Sequence, residues 1–170
     1  MTMKKILPLL TLFIAFNIGY GQTVIYDIDA SSFSPSDGID QLCFSGSASS
    51  MSYVGSPFGL TWTSTGTVAP TSVSLEIYEV YNDAGSPIPV NFNSNSDGNF
   101  GPTSVFCTET VVTIPLSTGF YVSGGANNVI LDYASTFGVL EIEVNPAWGT
   151  GIFARVIVNY PLPPGPPVAN

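Results

Sequence analysis

Apolar and polar residues alternate along several short stretches of the chain, and the longest clean run near its middle is Ser72–Tyr81, SVSLEIYEVY. Val73, Leu75 and Ile77 fall on one side of an extended backbone, and Ser74, Glu76 and Tyr78 on the other. This is the period-two signature of a strand with one dry and one wet face, and its position predicts a central strand. The same pattern predicts strands at Thr23–Asp29, Ile39–Ser45, Phe58–Thr63, Phe106–Leu116, Val139–Val144 and Gly151–Tyr160. In Val139–Val144 the alternation places Leu140, Ile142 and Val144 inside, with Glu141 and Glu143 outside. Phe120–Tyr133 reads as a short strand, a Gly-Gly-Ala-Asn turn and a second strand from Val129. Pro115 cannot donate to a ladder, so its strand is expected at a sheet edge or to end there. Ser31–Gly38, Ser45–Ser52, Asn82–Pro89 and Asn91–Pro102 read as turns or loops from their Ser, Asn, Gly and Pro content. No stretch after the N-terminal run has helical periodicity. About 9–11 short strands between turn clusters predict an all-β fold, an antiparallel β-sandwich of jelly-roll or Ig-like type.

The two ends differ from this body. Lys4-Lys5, the apolar run Ile6–Ile18 and the small residues Gly19 and Gly21 read as a secretory signal peptide over 1–21, cut ahead of Gln22. The run is shorter than the roughly 20 apolar residues a spanning helix needs, and Pro8 and Asn17 interrupt it. The sandwich is then expected over 22–160. Pro161–Asn170, PLPPGPPVAN, holds five prolines in ten residues, which suits an extended spacer or a frayed terminus rather than a sheet.

Composition narrows the chemistry. Charged residues are 9% of the chain, against a usual share of about 25%, so the surface is dressed with Ser, Thr, Asn and Gly. The formal net charge of −9 becomes −11 once Lys4 and Lys5 are lost with the signal, and Arg155 is then the single basic side chain. Nucleic acid is excluded as a partner, since phosphate recognition needs clustered Lys and Arg. No membrane insertion is expected after signal removal. There is no histidine, which removes the commonest general base and zinc ligand. The chain beyond the signal has no lysine for Schiff-base chemistry.

Four sets of residues remain as candidates. Cys43 and Cys107 are an even pair in an exported chain and most simply form one disulfide; free or metal-bound thiols are the alternative. Trp62 between them suggests an immunoglobulin pin, but Val105 stands where the tyrosine corner would need a tyrosine. Asn93, Asn95, Asp97 and Asn99 place oxygen donors on alternate residues, with Gly98 at the sixth position, as in the first half of a calcium loop. The closing Glu is missing, Ser104 holding that place, and a solvated turn-rich loop is the other reading; Asp37-Gly38-Ile39-Asp40 is a weaker candidate of the same kind. Trp148, in the loop Asn145-Pro146-Ala147-Trp148-Gly149, could stack on a sugar ring with Asn145 beside it, because apolar pyranose faces dehydrate well on an indole. Packing against the sandwich edge is its alternative, and Trp62 reads as core. Glu141 and Glu143 point the same way from one strand, at a spacing open to a retaining glycosidase, although outward Glu at alternate positions is the ordinary solubilising pattern. No enzymatic activity is expected.

Two resemblances bear on function. The signal ending at Gly21-Gln22, the Lys-free β-rich body and the tail PPVAN together resemble large secreted surface proteins of gliding bacteria. In those, a β-sandwich head precedes Ig-like, often hyalin-type, repeats. Tyr121–Tyr133, YVSGGANNVILDY, is similar to a turn-and-strand element of jelly-roll, carbohydrate-binding-like domains. The first resemblance implies a non-catalytic, secreted or cell-surface module for adhesion or display, with a protein or glycan partner. The second implies a carbohydrate-binding module, with calcium as a possible aid.

Overall fold

A computed structural model describes residues 21–34, 43, 50–54, 57–101, 103, 105–133 and 138–163. The signal sequence, the strand expected around Cys43, the Asp37–Asp40 motif and the end of the Pro-rich tail lie outside the described residues. Among the described residues no helix is long and apolar enough to cross a membrane.

Among the described residues, eleven strands form two antiparallel sheets facing each other across one core: β1 (Thr23–Asp29), β2 (Phe33–Ser34), β3 (Ser50–Val54), β4 (Phe58–Thr63), β5 (Ser72–Asn82), β6 (Ile88–Phe92), β7 (Asn95–Phe100), β8 (Val105–Leu116), β9 (Ala126–Leu131), β10 (Val139–Glu143) and β11 (Ile152–Asn159). One sheet takes β2, β4, β9, β6 and β7 in that spatial order, and the other takes the remaining six. The fold is an antiparallel β-sandwich.

The alternating run at Ser72–Tyr81 is the centre of the six-stranded sheet. β8 pairs with β5 from Val73↔Leu116 to Asn82↔Val105. On the opposite edge, β11 pairs over Ser72–Ile77 and β10 over Glu79–Asn82. β10 and β11 therefore lie end to end along β5 as one interrupted strand, and the residues between them leave the sheet and return. β1 flanks β11 and β3 flanks β10 on the next row out. Val73, Leu75, Ile77, Leu140, Ala154, Val156 and Val158 turn inward against Leu60, Trp62, Val90, Phe92, Val129 and Leu131 of the facing sheet, all buried. Burial of each large aliphatic side chain contributes roughly 1.5–3 kcal/mol. Aromatic rings close the core. Phe33 meets Phe58 and Phe153 edge-on, and Trp62 stacks on Phe92 at 5.9 Å between centroids, which makes Trp62 core. β8 pairs with β5 alone, so Pro115 sits on an edge strand.

Several expectations are corrected. Ser50–Val54, Ile88–Phe92 and Asn95–Phe100 are strands, not turns or loops. β6 tolerates Pro89 because it uses the carbonyl of that residue, which accepts from the Asp132 amide at 2.9 Å, and not the missing N–H. β7 is polar because it is an edge strand held through its backbone. The short strand expected at the start of Phe120–Tyr133 does not form: Phe120 ends a 3-10 turn over Thr118–Phe120, and β9 begins at Ala126. Glu141 and Glu143 are 0% and 8% exposed, so they are not solubilising side chains. β10 lies inside the sheet between β5 and β3, with Leu140 and Ile142 buried on its inner side.

A bulge interrupts the ladder where β5 meets β8 beyond Glu79, with three residues of β8 opposed to Val80. Cys107 lies in it at φ +47°, a conformation that disfavours any side chain with a Cβ. Its sulfur is bonded to Cys43 in the expected disulfide.

Candidate functional site

The outer face of the six-stranded sheet gathers polar and aromatic side chains from β1, β5, β8, β10 and β11. Inward Leu75 and Ile77 force Glu76 and Tyr78 outward. The pairings Asp27↔Arg155, Arg155↔Glu76 and Glu76↔Thr113 draw one cross-strand row over that face. The neighbouring row has Tyr78 opposite Val111, which is 44% exposed. Tyr78 sits level with the gap between β10 and β11, so the segment that leaves the sheet there emerges beside it.

That segment is a closed loop. The Asn145 amide donates to the Ile152 carbonyl at 2.9 Å, and the Trp148 amide donates to the Asn145 carbonyl at 3.0 Å. The Asn145 side-chain oxygen accepts from the Ala147 amide at 2.9 Å. Gly149 and Gly151 take φ +121° and +77° to bring the chain home, which residues with a Cβ rarely do. Buried Asn145 thus organises the loop from within, and its side-chain oxygen is engaged there.

Trp148 folds back over the sheet. The Arg155 guanidinium carbon lies 5.3 Å from its ring centroid, within cation–π range. The Tyr78 ring lies 6.3 Å away, tilted by 60°. Arg155 is itself held: its Nε donates to Asp27 Oδ1 at 2.6 Å, and its Nη2 reaches the Trp148 carbonyl at 3.5 Å. The indole is half-buried. Trp148 thus packs on the sandwich, and part of its surface stays exposed.

Carboxylates crowd one side of this aromatic pair. The Tyr78 hydroxyl donates to Glu109 Oε2 at 2.9 Å. Glu143 shares the outer face and approaches both. Burial, then the charges of Glu109 and Glu141, push the Glu143 carboxyl above its usual range. Burial, then the bond to Glu109 and the charges of Glu109 and Glu143, raise the Tyr78 phenol.

Asn93, Asn95, Asp97 and Asn99 are not brought to this face. They belong to the β6–β7 hairpin, where Asn93 and Ser94 at φ +49° and +65° form its two-residue turn. The Asn93 amide donates to the Phe120 carbonyl and to Asn127 Oδ1, while its oxygen accepts from the Asn128 amide at 2.7 Å. Asn95 bonds back to the Asn93 carbonyl, and Asp97 accepts from the Ser117 amide. These oxygens and amides tie the hairpin to its neighbours. No group of three or more His, Cys, Asp or Glu able to hold a metal ion occurs among the described residues.

Tyr78, Glu109 and Arg155 are the residues of the outer face that sequence reasoning did not assign a role. The available signal was Tyr78 itself, an aromatic residue on the wet side of an otherwise clean alternation.

No protein-family model matches the chain, and no curated protein matches it. Solved structures with a similar fold exist. The CBM36-1 domain of a multidomain xylanase, from the hindgut metagenome of Trinervitermes trinervoides, is 9% identical with a TM-score of 0.47; the match covers 80% of this chain and 96% of that one. CsCBM6-3 of Clostridium stercorarium, solved with cellobiose, is 16% identical with a TM-score of 0.45, covering 80% and 94%. The catalytic domain of a GH87 α-1,3-glucanase, solved with tetrasaccharides, is 12% identical with a TM-score of 0.45; the match takes in 89% of this chain but only 30% of the glucanase chain. At these identities and scores the likeness is one of general sandwich shape, and it assigns neither a ligand nor a site.

Proposed function

We propose that this chain is a non-catalytic carbohydrate-binding module of an exported protein, and that it binds its glycan on the outer face of the six-stranded sheet. The observation that carries this reading is the braced Trp148: a half-buried indole laid over the sheet by a closed loop, backed by Arg155 and flanked by Tyr78. A side chain fixed before binding loses little freedom on binding, and an indole face beside hydrogen-bonding groups suits a pyranose. Glu109 and Glu143 supply acceptors for sugar hydroxyls or amines. Several solved structures of similar fold are themselves named carbohydrate-binding modules; the reading here rests on Trp148 and its supports.

Catalysis is set aside on geometry. A glycosidase sets two carboxyl groups on either side of the scissile bond. Glu109 and Glu143 lie on one face of one sheet, and Glu141 is fully buried. Export is supported by the Cys43–Cys107 bridge, since disulfides persist in oxidising compartments. The signal at 1–21 and a Pro-rich spacer from 161 belong to this proposal. A cell-surface head that attaches through a protein differs only in its partner.

The test is binding of the purified chain to a broad panel of oligosaccharides and polysaccharides, repeated with chelator. Binding lost in Trp148→Ala, with the fold kept by circular dichroism, is expected. Absence of binding across the panel sinks the reading and leaves protein attachment to be pursued.

A further inference from the structure

We infer that Tyr26 is the chain's reactive phenol, the side chain that a small electrophile modifies first, at the ring carbon beside its hydroxyl. The site lies away from the Trp148 face and does not depend on the sugar-binding reading. Tyr26 belongs to β1, an edge strand of the six-stranded sheet, and its ring packs against the rim of the core. Its hydroxyl reaches the stretch that follows β4 in the facing sheet. There it accepts from the Thr65 main-chain amide at 3.0 Å, with Thr65 Oγ1 at 3.4 Å. An amide N–H can only donate, so this bond survives loss of the phenol proton and strengthens with it. The Ser64 and Tyr121 hydroxyls also act on the phenol oxygen as donors. Tyr121 shares a 3.0 Å hydroxyl–hydroxyl bond with Tyr160. With Tyr160 donating there, the Tyr121 proton is free to point at Tyr26. Several donors thus converge on one oxygen, an arrangement that favours the phenolate.

The elements packed around this oxygen bring hydroxyls and amides, and no charged side chain. Ser64 and Thr65 follow β4, Tyr121 follows the Thr118–Phe120 turn, and Tyr160 ends β11. Asp27 and its partner Arg155 lie on the opposite face of β1 and β11. Burial acts to raise the Tyr26 phenol, but the Thr65 hydroxyl and amide, then Ser64 and Tyr121, outweigh it and lower the phenol to about 8. The phenols of Tyr78, Tyr121 and Tyr133 are shifted the other way, first by burial. Tyr78 shows the contrast in geometry as well, since its hydroxyl donates to Glu109 and is held protonated by that bond.

An activated phenolate is the form that attacks electrophiles, and Tyr26 is only half-buried. At pH 7 about a tenth of a phenol titrating near 8 is ionised, against about a thousandth of an ordinary tyrosine, a difference of roughly 100-fold. Competing nucleophiles are scarce. The chain has no histidine, its lysines are Lys4 and Lys5, and Cys43 and Cys107 are bonded to each other. An arenediazonium ion is a suitable probe, drawn by the net charge of −9. Its terminal nitrogen bonds to the ring carbon beside the oxygen, the displaced ring hydrogen leaves to water as a proton, and no oxidant is consumed.

The experiment treats the full chain with less than one equivalent of an arenediazonium ion at pH 7 and locates the label by peptide mass mapping. An ultraviolet titration of the phenolate band runs beside it. Tyr26 is expected to carry most of the label, and one phenol is expected to titrate ahead of the rest. Tyr26→Phe should remove both the fast label and the early step. Thr65 is exposed, so its variants should fold. Thr65→Val keeps the amide and loses the hydroxyl, and should slow labelling roughly ten-fold, the scale of one hydrogen bond to a charged group. Thr65→Ser should restore it. First labelling at any other tyrosine overturns the inference, and so does a titration in which no phenol ionises ahead of the rest. A labelling rate unchanged in Thr65→Val also overturns it, because exposure alone would then account for the reactivity.

Discussion

Breaking the Cys43–Cys107 bridge releases a closure between residues 64 positions apart. In the chain-entropy account, a closed loop of that length restricts the unfolded ensemble enough to stabilise the fold by about 4 kcal/mol. For a domain of this size each kcal/mol moves the melting temperature by roughly 2–4 °C, so the loss corresponds to a drop of roughly 8–16 °C. The folded state adds a second, smaller effect that can be separated from the first. Cys107 is held at φ +47°, so Cys43→Ala/Cys107→Ala loses the closure and keeps the strained backbone. Cys43→Ala/Cys107→Gly loses the closure and relaxes the strain, and should recover about 1 kcal/mol. Thermal melts followed by circular dichroism, on the oxidised chain, the reduced chain and the two double variants, give the whole comparison. The expected order is oxidised, then the Gly variant, then the Ala variant. A fall on reduction of less than about 3 °C would refute the entropy argument. A Gly variant melting below the Ala variant would refute the strain argument.

Glu79 is fully buried, and burial raises its carboxyl above the ordinary range, although the Asn82 amide and Thr103 hydroxyl oppose the shift by donating to it. The folded state then holds this proton more tightly than the unfolded one, so its contribution is complete below the ordinary carboxyl range and is lost as pH rises towards the folded value. Melts against pH should show stability declining through that window, with a shallower decline in Glu79→Gln. At Gly66 an added Cβ would meet the Tyr160 phenol oxygen at 2.3 Å, so Gly66→Ala should cost about 1–3 kcal/mol by denaturant titration. Asn93→Ala should cost about 2–3 kcal/mol, because it strands buried partners and disturbs the hairpin turn. Asn93→Gly should cost less, since it keeps the turn, and chelator should leave the melting temperature of the parent chain unchanged. Asn145→Ala frees the Ala147 amide and loosens the loop, so collisional quenching of Trp148 fluorescence should rise while buried Trp62 stays protected.

Alternation made much of the sandwich legible. Val73, Leu75 and Ile77 of β5, Ile114 and Leu116 of β8, and Ala154, Val156 and Val158 of β11 are buried as their spacing requires. Period-two reasoning identifies two faces of a strand; it does not say what lies against each. This is why alternation puts Glu141 and Glu143 in water, whereas they are 0% and 8% exposed. It also stops at a bulge. The register of β5 shifts beyond Glu79, and Tyr78, Glu79 and Val80 beside the shift are all buried, which no alternating template describes. β7 escaped because an edge strand can be held by backbone bonds with almost no apolar residues of its own. At the site, Trp148 was visible as a loop aromatic, but its supports were not. Arg155, Tyr78 and Glu109 come from three strands, and only long-range pairing brings them together.

The break between β10 and β11 has a consequence for how such a chain can change. Because both halves are anchored independently along β5, and one amide–carbonyl bond from Asn145 to Ile152 fastens the exit to the return, the stretch from Pro146 to Gly151 behaves as an interchangeable cassette. Its length and side chains can be rewritten, by drift or by a library, while the sheet beneath keeps its register. On the proposed sugar-binding reading, ligand preference and fold stability come under separate control, with the tryptophan on the replaceable part and its braces on the permanent one.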